Sequence, residues 1–282
     1  AEAFAAAARM WRSLDPVLES ARRREKAGAV AVWIPRTTVG RRAVIGGLIG
    51  ATAAAASGVM VVWPPFGIWP SLSEMSADYR TGVGQQRKLS LGQSISIELN
   101  TETSIALRPQ ADGRDGIELI SGEAMVTKTT AGTADFVVFA GKGRAVAREA
   151  VFNIRRDGAV VCVTCIRGVV QVERDWRQIA LGESQQASYG GSTISAPTAV
   201  DPTVVAAWRD GMLVFHNQPL AQVIDEVNRY RPGRIVLLNA PLGRRLVTAR
   251  FELAQLDDAI VQMHEVFGAR ITELPGGIVL LT

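Results

Sequence analysis

The sequence predicts a membrane-anchored chain with two folded domains beyond the membrane, the first all-β and the second a small α+β module. Three observations carry this reading. Residues 43–63, AVIGGLIGATAAAASGVMVVW, form a run of 21 positions without a charge. Over about residues 80–196 apolar side chains recur with a period of two, as they do in half-buried strands. Residues 213–282 then repeat their own pattern at an offset of 36.

The N-terminal arm, residues 1–42, opens with helical spacing at Phe4, Ala7, Ala8 and Trp11, which Pro16 limits. The arm holds nine Lys/Arg against four Asp/Glu, whereas the rest of the chain holds 22 against 23. The net charge of +4 therefore belongs to the arm, and the basic excess is a topology signal rather than a nucleic-acid footprint. As a helix the apolar run would measure about 32 Å, which matches a bilayer's hydrocarbon core. Arg41 and Arg42 bound it on one side. Trp63, Phe66 and Trp69 form an interfacial belt on the other, where Pro64 and Pro65 stop the helix. The positive-inside rule then puts the arm in the cytoplasm and everything beyond Trp63 across the membrane.

A buried soluble helix is seldom so long without a polar face. A cleaved signal sequence is the stronger rival, because TTVGRRAVIGG (37–47) has a twin-arginine look and AAAAS (53–57) offers small residues for cleavage. Gly46 and Gly50 form a G-x-x-x-G pair, a candidate helix-association face that so alanine-rich a span also produces by chance.

Residues 64–79 read as a linker. Beyond them Leu89 and Leu91, then Ile95, Ile97 and Leu99, then Ile105 and Leu107 alternate with polar residues. The alternation continues through Ile117 and Leu119, Ala124 and Val126, Phe136 and Val138, Phe152 and Ile154, and AVVCVTCIRGVVQVE (159–173). Breaks are expected at Gly92, Asp112-Gly113, Ser121-Gly122, Gly141, Asp157-Gly158 and Gly168. Strands at this spacing predict an all-β domain over 80–196, with sandwich, roll and solenoid all open. Residues 197–202 read as a second linker. In the module, 203–282, Phe215, Leu220, Ile224, Val227 and Ile235 recur as Phe251, Leu256, Ile260, Met263 and Ile271. Each copy is a strand, an amphipathic helix and a strand. Pro219 suits the first helix's opening turn, Arg231-Pro232-Gly233 its end, and Gly268 ends the second.

The chemistry of a site is hard to find. Cys162 and Cys165 have redox spacing, but on a strand residues i and i+3 face opposite ways. The two histidines, His216 and His264, are too few for a metal cluster without carboxylates. Gly141-Lys142-Gly143 has no helix after it to hold phosphate, there is no G-x-S-x-G elbow, and Asp257 and Asp258 suit a helix's first turn. No catalytic residue, cofactor or metal site is expected, and the chain reads as a non-enzyme.

The order of parts resembles the FecR family of single-pass regulators of extracytoplasmic-function sigma factors. The likeness runs through YRTGVGQQRKLSLGQSISIELNTETSI (79–105), GIELISGEAMV (116–126) with its Gly122-Glu123-Ala124 turn, VFNIRRDGAVVCVTCIRGVVQV (151–172) and IALGESQQ (179–186). Its most specific piece is AAWRDGMLVFHNQPLAQVIDEVNRY (206–230), with Trp208, Gly211, Phe215, Pro219 and Leu220. The module looks like the short domain at the N-termini of secretins and TonB-dependent receptors. AEAFAAAARMWRSLD (1–15) is similar to the end of the family's anti-sigma domain, with Trp11 the candidate contact and the rest of that domain upstream of Ala1.

The resemblance implies an inner-membrane signal transducer with an all-β periplasmic domain. It would bind a sigma factor on the cytoplasmic side and the signalling domain of a TonB-dependent outer-membrane transducer on the other, in iron–siderophore uptake. Release by stepwise proteolysis is a further implication. Some members cleave themselves at a Gly-Thr pair; here Glu149 and Ala150 stand there, so no self-cleavage is expected. The rival function is an envelope scaffold that oligomerises through the module. An anchored periplasmic enzyme has only the cysteine pair behind it. A partner strand added to an exposed sheet edge of the module is one conceivable mode of contact.

Overall fold

The alternation of residues 80–196 becomes two sheets that share one strand. A computed structural model describes residues 76–108, 116–129, 134–191 and 193–282. Its strands are β1 (Tyr79–Arg80), β2 (Arg87–Leu91), β3 (Ile95–Leu99), β4 (Ser104–Leu107), β5 (Gly116–Lys128), β6 (Phe136–Ala140) and β7 (Gly143–Ala147). They continue with β8 (Ala150–Asp157), β9 (Val160–Gly168), β10 (Val170–Arg174), β11 (Arg177–Leu181), β12 (Gln185–Gly190), β13 (Thr193–Ile194) and β14 (Thr198–Ala199). The first sheet runs β1-β4-β5-β6-β7-β10-β11, and the second runs β2-β3-β5-β8-β9-β12, with β13 and β14 on the free side of β12. All pairs are antiparallel except β5 with β6.

The 13 residues of β5 correct one expectation. No break falls at Ser121-Gly122; the strand passes there from one sheet to the other. Residues 116–119 pair with β6, whereas residues 122–128 pair with β8. Gly122 makes the turn at φ +88°, and a Cβ on it would lie 2.4 Å from Thr103 Oγ1 and 2.5 Å from Thr103 Cα. Only glycine fits such a backbone. The inward side chains of both sheets then meet in one core that includes Ile97, Leu99, Ile117, Leu119, Phe152 and Ile154. Tyr189 is buried in it and donates its hydroxyl to the Ala140 carbonyl at 3.0 Å.

Residues 197–202 are also not a free linker. Thr198 and Ala199 pair with β12, Val200 N–H donates to Ser184 O at 2.9 Å, and Asp201 caps α1 (Pro202–Ala206) by accepting from Thr203 N–H. The extended backbone of Thr198-Ala199 had a strand edge to join, and Pro202 suits the first position of the helix that follows.

The module follows a short 3-10 turn, Ala207–Asp210. It contains β15 (Met212–Pro219), α2 (Leu220–Asn228), β16 (Arg234–Leu237), α3 (Ala240–Gly243), β17 (Leu246–Glu252), α4 (Leu256–Phe267), β18 (Ile271–Leu274) and β19 (Ile278–Leu281). The repeat is visible in the packing. Leu220, Val223, Ile224 and Val227 of α2 are buried at helical spacing, as are Leu256, Ala259, Ile260 and Met263 of α4. The opening strands β15 and β17 pair with each other, and Phe215 meets its repeat mate Phe251 at 5.9 Å between ring centroids. The closing strands β16 and β18 do not touch. β19, which the sequence pattern did not reveal, lies between them, parallel to β16 and antiparallel to β18. The sheet edges are guarded. The Asn228 side chain accepts from Ile235 N–H and donates to Ile235 O on the open side of β16. On β18, Glu273 stands opposite buried Val279, a charge on the core-facing side of an edge strand.

Leu220→Ala is expected to lower stability by about 2–5 kcal/mol, because Leu220 is fully buried, whereas Val266→Ala, on a side chain 69% exposed, should shift it by less than about 0.5 kcal/mol. Urea unfolding of the two variants checks both values. Among the described residues no helix is long and apolar enough to cross a membrane. Residues 43–63, with Trp11, Arg41, Arg42, Gly46, Gly50 and Trp63, lie outside the described residues.

Candidate functional site

In the second sheet the side chains that do not enter the core form an outer face, and the module lies on it. Strand register builds this face in rows. Glu98, Met125, Asn153, Thr164 and Gln186 stand opposite one another across β3, β5, β8, β9 and β12. The next row holds Glu123, Arg155, Cys162 and Ser188. Met125, with partly buried Val151 and Ile166, packs among Trp208, Leu213, Phe215, Val223, Val227 and Tyr230 of the module.

The centre of the contact is charged. Glu123, 5% exposed, accepts from Asn100 Nδ2 at 2.9 Å, from Asn153 Nδ2 at 2.9 Å and from Arg229 Nη1 at 3.0 Å. Arg229 also donates to Glu226 of its own helix, and Glu226 accepts from Arg155 Nη1 at 2.7 Å. Arg155 and Glu123 belong to the sheet, Glu226 and Arg229 to the end of α2, so the four groups alternate in sign along the chain of bonds, and its two outer links join sheet to module. Asn100 Nδ2 donates to Tyr230 Oη at 2.6 Å, and Thr101 Oγ1 donates to Arg229 O at 2.8 Å. At the rim Arg209 grips Glu98 with two hydrogen bonds, 2.9 and 2.7 Å, and Gln86 donates to Trp208 O.

Electrostatics follow from this geometry. Burial alone would lower the Arg155 and Arg229 pKa values, but the carboxylates of Glu226 and Glu123 outweigh it and both are raised. Burial would raise Glu98, but its bonds and attraction to Arg209 and Lys88 leave its carboxyl below the usual range. Such pairs are strong only while both partners stay together, since an unpaired buried charge is expensive.

The cysteines stand as the strand argument requires. Cys165 enters the core, and Cys162 faces the module across the outer surface. Both are free thiols. Burial, with Glu183 nearby, pushes the Cys165 thiol up to about 11, and burial pushes Cys162 up as well. At pH 8 Cys165 should therefore react with iodoacetamide about a hundredfold more slowly than an ordinary thiol, and urea should restore the rate. A fast-reacting thiol in the folded chain would show an activated site. Ala150, the residue of the expected uncleaved bond, is buried at the start of β8, opposite Gly168. His216 is exposed on β15, and no group of three or more potential metal ligands occurs among the described residues.

Sequence reasoning missed Glu98, Glu123, Asn153, Arg155, Glu226 and Arg229. On alternating strands a charged residue opposite the core reads as solvated, and the partners sit more than 70 residues away. One signal was available. Met125 beside Val126, and Ile166 beside Cys165, place apolar residues on both faces of a strand, which marks a sheet covered on both sides.

The comparisons agree with this architecture. The family model described as FecR protein matches residues 77–171, from just before β1 into β10. No curated protein sequence matches the chain. Two crystal structures of a candidate anti-sigma factor from Parabacteroides distasonis share the fold. One has a TM-score of 0.62 at 19% identity, covering 72% of this chain and 97% of that one. The other has 0.61 at 18%, covering 72% and 96%. The shared part is larger than the family segment alone, so the likeness extends past β10.

Proposed function

From a chain that carries a FecR domain, we propose a single-pass regulator of an extracytoplasmic-function sigma factor, with its β domain and module on the far side of the inner membrane. The observation that carries the reading is the FecR segment, continued into a docked second domain whose contact with the first is held by ion pairs. Support also comes from the uncharged run at 43–63 behind its arginine pair, and from fold neighbours described as candidate anti-sigma factors. Mechanistically, a binding partner moves such a protein only by favouring one of two arrangements of it. The ion-paired contact offers those two arrangements, docked and released. The partner on the far side is the signalling domain of a TonB-dependent outer-membrane transducer, in a circuit of the iron–siderophore type; the partner of the N-terminal arm is the sigma factor.

Topology and partner are tested separately. Alkaline phosphatase joined after Ala199 should be active and joined after Arg24 inactive; the reverse pattern sinks the orientation. The whole chain, purified in detergent and used to probe envelope extract, should recover a TonB-dependent receptor through its N-terminal domain. Large self-assembled rings with no receptor would instead favour the envelope scaffold.

A further inference from the structure

One end of the first sheet carries two short turns that face solvent. Gly141-Lys142 joins β6 to β7, and Asp175-Trp176 joins β10 to β11. Because β7 pairs with β10, with Gly143 opposite Arg174, the turns stand side by side, two strand spacings or about 10 Å apart. A third turn adjoins them. A Cβ on Gly141 would lie 3.7 Å from Val161 Cγ2, and Val160 beside it is 52% exposed.

Trp176 is 82% exposed, more than any other large apolar side chain among the described residues. The Arg177 guanidinium stacks on its ring, 4.7 Å from the centroid. A single exposed apolar side chain is ordinary; the charges around this one are not. The acids at this end are already paired: Glu173 with Arg144 at 2.6 Å, Asp175 with Arg174 at 3.5 Å, and Asp157 with Arg155 at 2.8 Å. Lys142 and Arg177, both exposed, have no ion pair among the described residues. An amphipathic indole beside unpaired cations suits a bilayer's headgroup level, where the ring is half in apolar surroundings and the cations meet phosphate.

The chain brings such a surface within reach. Twelve residues, 64–75, separate the uncharged run at 43–63 from the first described residue, and twelve residues span at most about 40 Å. Tyr79 of β1 lies on the same cross-strand row as the turns, through Ile105, Leu119, Ala140, Gly143 and Arg174. That row covers five strand spacings, about 24 Å.

We propose that the two turns are a contact for the anionic surface of the membrane that residues 43–63 cross, with the Trp176 indole at headgroup level and Lys142 and Arg177 against lipid phosphates. The inference rests on the reading of 43–63 as a span. Two attachments, the span and the turns, then fix which side of the β domain faces away from the bilayer. Each cation contributes about fivefold in affinity for an anionic leaflet, and the contact weakens as salt rises.

The test uses the whole chain in lipid nanodiscs, labelled with 5-fluorotryptophan. The ¹⁹F signals are assigned from Trp63→Phe, Trp176→Phe and Trp208→Phe. A lipid carrying a spin label on its headgroup broadens any indole at the bilayer surface. In discs rich in phosphatidylglycerol it should broaden Trp63 and Trp176 and spare Trp208, which is buried between the domains. In discs of phosphatidylcholine alone, or at high salt, the Trp176 broadening should disappear while that of Trp63 stays. Lys142→Gln and Arg177→Gln should each weaken the Trp176 effect about fivefold in docked-to-free ratio, and Lys142→Arg should leave it intact. Both side chains are exposed, so neither substitution threatens the fold. Broadening of Trp63 without Trp176 overturns the contact and leaves the span standing. An unbroadened Trp63 removes the span, and the contact with it. Trp176 broadening that ignores lipid charge and salt overturns the anionic contact. A Trp176 signal that shifts with protein concentration in uncharged detergent micelles overturns it too, and assigns the turns to a second copy of the chain.

Discussion

Glu123→Ala will release the module from the β domain while leaving both folded. Glu123 is the acceptor for Asn100, Asn153 and Arg229, and its removal strands the buried Asn153 amide donor, leaves Asn100 only Tyr230, and takes one of two carboxylates from a buried guanidinium. Breaking one side of a buried ion pair costs about 3–5 kcal/mol, far more than a surface pair would. Arg229 keeps Glu226, which softens the loss but leaves Arg229 dependent on a carboxylate that Arg155, also paired with Asp157, already uses. Cys162 reports the outcome. It faces the module, so its alkylation should accelerate toward that of an exposed thiol, while Cys165, inside the β core, stays protected. Acceleration of both would mean unfolding rather than release. The double variant Glu123→Ala/Arg229→Ala should lose less than the sum of the single losses, because each residue's cost is largely its partner left alone.

The second large effect sits one residue earlier. Gly122→Ala must hold φ +88° with a side chain whose Cβ would overlap Thr103 Cα and lie 2.7 Å from Glu102 O. Backbone strain of this kind costs about 1–3 kcal/mol, and a clash with main chain rather than a flexible side chain adds to it. A loss of about 4 kcal/mol would lower the melting temperature by roughly 10 °C in a protein of this size. Gly92→Ala is the control. Its φ is +62°, but nothing lies within 4 Å of the added Cβ, so it should lose only about 1 kcal/mol. Equal losses at the two positions would show that conformation alone, not the crossing of β5 between sheets, fixes the glycine.

What the sequence made legible was whatever depends on local period. Ile95, Ile97 and Leu99 announce β3 and its buried face, and Leu220, Ile224 and Val227 announce α2, because each pattern is written within one element. The repeat was legible for the same reason: Phe215 and Phe251 hold equal places in equal units. The structure departs where a choice depends on distant chain. Ser121-Gly122 looks like any break until Thr103 and the two flanking sheets are present. Thr198-Ala199 is extended in either case, and only the free edge of β12 makes it a strand. The docking site was least legible of all. Glu123 and Arg229 are 106 positions apart, each unremarkable on its own surface, and only the overlap of two domain surfaces turns them into a pair.

The place of β19 sets an order of assembly. The module's first sheet, β15 with β17, can close as soon as Glu252 has been made. Its second sheet cannot, because β16 and β18 both pair through a strand that the ribosome adds after every other strand of the module. The β domain, complete by Ala199, needs nothing that follows for its own core. During synthesis a folded β domain therefore precedes an unfinished module, and residues 278–281 act as the closing piece. A chain interrupted between Leu274 and Ile278 would present β16 and β18 as two unpaired strands, a feature by which quality-control proteases recognise incomplete products.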